Sequence, residues 1–121
     1  MSKSAAAPSP GPYSRSKRRF PRYALDVRLT VQVFRAGASA SLWGRSNELG
    51  QDGIGGTVTG ELQVGEVVTL EFALPARVQP LKLRAVVRYR DGLRHGFEFL
   101  TVNTAQREDI QRACEMLSCI V

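Results

Sequence analysis

The 121-residue chain has no long apolar run, one histidine, one tryptophan and two cysteines. A membrane-spanning helix needs about 20 consecutive apolar residues, so the sequence predicts no span. Residues 1–16 are rich in Ala, Ser and Pro and lack the apolar segment of a secretory signal. The expected location is therefore the cytoplasm. Cys114 and Cys119 lie five positions apart, where a helix points them away from each other, so no disulfide is expected between them. Cys114 is expected near the buried face of that helix. Two cysteines and one histidine also fall short of a four-ligand structural zinc set. His95 stands without a second candidate base, which leaves no Ser-His-Asp or Cys-His arrangement to argue for. No Walker-type phosphate loop is present, and the acids are scattered rather than gathered. These absences predict a protein with no catalytic residues, no metal and no cofactor.

Acid is also missing from the first 23 residues, which hold Lys3, Arg15, Lys17, Arg18, Arg19 and Arg22. The chain has 17 basic and 11 acidic residues, a net charge of +6. The remaining 11 basic residues therefore balance the 11 acids, and the whole excess sits at the N-terminal entrance. A nucleic-acid-binding domain would carry its positive charge across a face of the fold. The distribution found here predicts a local anion site or a solvated basic arm instead.

What is present is a succession of short strands. One domain is expected, with a disordered tail over 1–16, since Pro8, Pro10 and Pro12 sit there among residues with nothing to bury. Leu25, Val27, Leu29, Val31 and Val33 alternate with polar residues, a half-buried strand. A second strand is expected over about 40–47 and a third over 54–59, separated by the turn signals Gly50, Asp52 and Gly53. Val68, Leu70, Phe72 and Leu74 mark a fourth, ended by Pro75. Leu81, Leu83, Ala85, Val87 and Tyr89 mark a fifth. Asp91-Gly92 reads as a two-residue hairpin turn leading to a sixth strand over 93–100. Phe97 and Phe99 are expected in the core, and Trp43 as core or half-buried. Asn103 and Gln106 form a capping box, and Ile110, Ala113, Leu117 and Ile120 give the helix that follows an apolar stripe. Six short antiparallel strands close most simply into a barrel, with the helix over one end or flank.

Two local features carry chemistry. Lys17-Arg18-Arg19-Phe20-Pro21-Arg22-Tyr23 is a short arginine-rich arm, stiffened by Pro21, just before the first strand. Guanidinium groups bind phosphate bidentately and also match the O6/N7 edge of guanine. Such an arm suits a ligand with both phosphates and purines. Glu48-Leu49-Gly50-Gln51-Asp52-Gly53-Ile54-Gly55 is a glycine-rich turn whose backbone can approach a ligand closely.

Together these residues resemble the PilZ family, which binds the bacterial second messenger cyclic di-GMP. Arg18 and Arg22 match its R-x-x-x-R element, and Glu48-x-Gly50-x-x-Gly53 aligns with its D/N-x-S-x-x-G element. Glu48 adds a methylene to the usual acid or amide, and Gly50 lacks the usual serine hydroxyl. The similarity runs over about residues 17–117.

The resemblance implies a mainly β fold, a six-stranded antiparallel PilZ-type β-barrel with a C-terminal α-helix. Residues 17–121 would form the domain, with a basic switch loop at 17–23, the barrel at 24–100 and the helix at 103–119. It implies a cyclic di-GMP receptor or adaptor that signals through an unidentified protein partner. Arg18, Arg19, Arg22, Glu48, Gly50 and Gly53 would form the ligand site. A PilZ-like interaction adaptor that no longer binds the ligand is the alternative, motivated by Glu48 and Gly50.

Overall fold

The computed structural model of the chain describes residues 19–119. The expected tail at 1–16 and the last stripe residue, Ile120, lie outside the described residues. The period-two segments form strands: β1 (Tyr23–Ala24), β2 (Arg28–Arg35), β3 (Ala38–Leu49), β4 (Gly53–Val58), β5 (Val67–Phe72), β6 (Leu81–Asp91) and β7 (Arg94–Thr101). A single helix, α1 (Thr104–Ser118), follows. Neighbouring strands run β1-β3-β2-β5-β6-β7-β4, and β3 pairs with β4 as well. That last pairing closes six antiparallel strands, β2 to β7, into a barrel, and closure removes unpaired edges.

The alternating apolar residues face inward. Leu29, Val31 and Val33 of β2 are buried, as are Val68, Leu70 and Phe72 of β5. Phe97 and Phe99 of β7 join them, and Ile110, Ala113 and Cys114 of α1 pack into the same core. The capping box is formed. The Gln106 N–H donates to Asn103 Oδ1 at 2.8 Å, and the Asn103 N–H donates to Gln106 Oε1 at 3.2 Å. Gln106 Nε2 also donates to the Lys82 carbonyl, and Arg77 pairs with Asp109. The first half of the helix is thereby tied to the barrel.

Four local features differ from the expectation. The strand read from Leu25 onward starts only at Arg28, as β2, and leaves residues 25–27 in a gap after β1. In the gap, the Val27 N–H donates to Ser46 Oγ and that hydroxyl donates to the Leu25 carbonyl, so a side chain replaces ladder bonds. Trp43 is not buried but 53% exposed, because Gly44 and Ser46 take the inward positions of β3 and leave residue 43 outside. Its ring lies 5.2 Å from the guanidinium carbon of Arg28. The β6–β7 turn residues are Gly92-Leu93 rather than Asp91-Gly92, since Asp91 still pairs with Arg94. Only Gly92 of these has positive φ, at 64°. Finally, β3 rather than β4 is bulged, between Ser46 and Glu48, opposite Gly55 and Gly56, strand glycines of the kind that mark a bulge, a bend or a close backbone approach.

Candidate ligand-binding site

The site is built where β1 meets the end of β3. Tyr23 pairs with Leu49 and Ala24 with Glu48, which brings Arg22 beside the Gly50–Gly53 turn. The turn itself is closed by the Gly50 N–H donating to the Gly53 carbonyl at 2.9 Å. The Phe99 N–H donates to the Asp52 carbonyl at 2.9 Å and fastens the turn to β7. The β3 bulge re-aims Glu48, as bulges near functional sites do.

Arg22 is the centre of the arrangement. Its side chain is only 4% exposed, yet its two terminal nitrogens stand between two carboxylates. Nη2 lies 3.4 Å from Asp52 Oδ1, and Nη1 lies 3.9 Å from Glu48 Oε2. Both distances exceed the roughly 2.7–2.9 Å of a tight charge-assisted hydrogen bond. The two acids therefore flank the guanidinium as ion-pair partners.

Gly50 makes this placement possible. A Cβ there would stand 2.8 Å from Arg22 Cδ, 2.9 Å from Nε and 3.1 Å from the Pro21 carbonyl oxygen. The missing side chain is a notch in which the arginine stem lies. Gly53 has a different reason. A Cβ at Gly53 would come within 2.2 Å of the Phe97 carbonyl oxygen, so β4 and β7 can pair only if this residue has no side chain.

Arg19 is exposed, with its guanidinium carbon 5.5 Å from the Phe20 ring centre. It lines a cleft of about 430 Å³ that reaches from the arm across Asp52 to Val102 and Arg107. The structure thus gathers Arg19, Arg22, Glu48 and Gly50 at one edge of the barrel, with Gly53 packed beneath the turn. Arg18 lies outside the described residues. Asp52 was read in the sequence only as a turn residue, and Arg107 not at all.

Thiol and imidazole chemistry stay out of the site. Burial pushes the Cys114 thiol up to about 11, offset in part by the nearby Arg22 charge, so it stays protonated at neutral pH. His95 is buried on β7, where desolvation lowers its pKa. Its Nδ1–H donates to the Leu93 carbonyl at 2.8 Å, and Nε2 accepts from the Leu62 N–H at 3.3 Å. It works as a staple for the segment after β4. Among the described residues, no group of three His, Cys, Asp or Glu could hold a metal ion.

Comparison with known proteins gives a consistent likeness. Residues 16–116 match the family described as the PilZ domain. No curated protein matches the chain. Among solved structures, the PilZ domain with c-di-GMP of YcgR from Escherichia coli shares 22% identity at a TM-score of 0.65, covering 84% of this chain and 92% of that one. The Bacillus subtilis inhibitor of motility MotI/DgrA shares 16% identity at a TM-score of 0.66, with 87% of this chain and 53% of that one covered. The PilZ domain of CeSA from a cellulose-synthesizing bacterium shares 18% identity at 0.60, with 79% and 97% covered. The chain spans the YcgR PilZ domain almost completely but only about half of MotI.

Proposed function

Since the chain belongs to the PilZ domain family, we propose that it is a bacterial receptor for cyclic di-GMP that signals by changing its contacts with a partner protein. The observation that carries this reading is Arg22, a nearly buried arginine set between Glu48 and Asp52 beside the glycine turn. A phosphodiester is a stronger partner for a guanidinium than two carboxylates at 3.4 and 3.9 Å, because it accepts two parallel N–H bonds. The ligand exchanges with the acids, and Arg22 turns from its internal partners to the phosphate. The YcgR PilZ domain, of similar fold, has been solved with this ligand.

Arg18, four positions before Arg22, is the second arginine of the clamp, and Arg19 assists from the rim. Glu48, released from Arg22, accepts from the guanine N–H edge. The Gly50–Gly53 turn lets the backbone approach the ligand. Binding closes residues 17–23 over the ligand and so presents a new surface to the partner. The protein acts in the cytoplasm and without catalysis, through a partner rather than through chemistry of its own. Calorimetry with cyclic di-GMP tests this: wild type gives saturable heat, and the Arg18→Ala/Arg22→Ala double variant gives none. Absence of heat for wild type at several hundred micromolar ligand would leave the chain an interaction adaptor.

A further inference from the structure

The cleft beside Arg22 has a wall that the family's two sequence motifs do not reach. Its far side is made by Arg107 and Gln111 of α1. These two residues are four apart and so share one helical face. The near side is made by Arg19, Phe20 and Asp52. The volume, about 430 Å³, falls within the roughly 300–1,000 Å³ of small-molecule sites.

Two observations single out Arg107. It sits in the first turn of α1, where the helix dipole is positive and a cation is unfavourable. The helix carries no acid in that turn to compensate it. Local stability would favour an acid at this position, so the arginine is explained by something it meets rather than by the helix. Its guanidinium also has no ion pair or hydrogen bond among the described residues. Arg22, Arg77 and Arg112, by contrast, each have a carboxylate partner. Arg19 likewise has no carboxylate partner among the described residues and lies over the Phe20 ring. The one acid lining the cleft, Asp52, pairs with Arg22, so Arg107 and Arg19 leave two cationic heads there over a floor that includes Val102.

We propose that this cleft is a second anion-binding lobe of the nucleotide site, in which Arg107 of the helix and Arg19 of the arm hold one phosphodiester of cyclic di-GMP while Arg22 holds the other. The inference rests on the receptor reading above. It makes α1 a ligand-contacting element instead of a passive cover. The helix is suited to that role because Gln106 and Asp109 fix its first turns to the barrel. Arg107 is therefore presented without a large ordering cost.

The test is calorimetry of the full chain with cyclic di-GMP, joined to phosphorus NMR of the bound ligand. Loss of one charge-assisted contact predicts that Arg107→Gln weakens binding about 10-fold to 100-fold. Arg107→Lys should recover part of that loss. In Arg107→Gln, one of the two phosphodiester signals should move toward its free position while the other stays. The melting temperature should hold or rise, because a cation has left the positive end of the helix. If Arg107→Gln binds like wild type while Arg22→Ala does not, the receptor reading stands and the second lobe is wrong. If affinity falls together with the melting temperature and neither phosphorus signal moves selectively, Arg107 is structural and the proposal is again wrong. If wild type itself takes up no cyclic di-GMP, the receptor reading fails and the lobe falls with it.

Discussion

At the scale of single residues, the site turns on a notch. Gly50 stands where the family pattern has serine, and taken alone it removes a hydroxyl. In the fold it also supplies the space that lets the Arg22 stem lie across the turn toward Glu48 and Asp52. Gly50→Ser should therefore push the stem away, loosen both ion pairs and restore a hydroxyl donor for the ligand. A hydrogen bond to a charged group is worth about 1.5–3 kcal/mol, so cyclic di-GMP affinity should rise about tenfold or more. Weaker binding in a titration of Gly50→Ser would mean that the bound arm needs the notch too.

The arginine spacing and the acid at Glu48 were legible in the sequence; the pairing of Arg22 with Asp52 was not. Arg22 could be selected by its spacing from Arg18, but its contact with Asp52 depends on the register Tyr23 to Leu49. Register is a long-range property with no local signature. The one available hint at Arg107 was electrostatic, a basic residue in a helical turn that favours acids. Gly53 had a motif reading, and the fold adds a packing reason in the Phe97 carbonyl.

At the scale of elements, alternation carried most of the strands and the capping box carried the helix. Those signals are local, so they survive without knowledge of the fold. The turn types, and which strand carries the bulge, did not show. The β2–β3 turn is Ala36-Gly37, with φ of 51° and 78°, a pair of left-handed residues of the kind a type I′ hairpin needs. Glycine adopts that conformation freely, but alanine is strained there. Asn-Gly is the preferred pair for this turn. Ala36→Asn should thus stabilise the protein by about 0.5–1 kcal/mol, read as a higher urea midpoint at unchanged slope. Ligand affinity should not change, since Ala36 is at the hairpin between β2 and β3 and lines neither the turn nor the cleft. A lower midpoint would contradict the strain argument.

The β7 element makes a further prediction through His95. Burial lowers its pKa below the unfolded value, and the neutral ring donates to the Leu93 carbonyl while accepting from the Leu62 N–H. The unfolded chain gains the proton first as pH falls. The stabilisation is therefore complete above about pH 6.5 and is lost as pH falls through the lower folded value. Glu66 adds a later step. Hydrogen bonds from Arg35 hold its carboxyl down to about 2, so its contribution is lost between the ordinary carboxylate range and that value. Urea midpoints should fall first as pH drops below about 6.5 and again below about 4.5. His95→Gln should flatten the first step only. An unchanged first step in that variant would contradict the assignment to His95.

At the scale of the whole molecule, charge and closure divide the labour. The barrel is sealed by the β3–β4 pairing and leaves no long free edge among its six strands. In residues 24–121, barrel and helix together, 11 basic residues balance the 11 acids, several of them in surface pairs such as Arg45 with Asp26 and Arg88 with Glu98. The uncompensated positive charge is concentrated in the arm, and the arm enters the fold at Arg22, against the turn where the second motif sits. Fold and site are thus joined at one point. In the proposed receptor, the barrel holds the turn, and the arm's arginines take the ligand's phosphates in exchange for Glu48 and Asp52. The most direct test of that account is a calorimetric titration of wild type and Arg22→Ala with cyclic di-GMP. The account predicts saturable binding by wild type and its loss in the variant, with the barrel still folded by circular dichroism. Equal binding by the two proteins, or none by wild type, would contradict it.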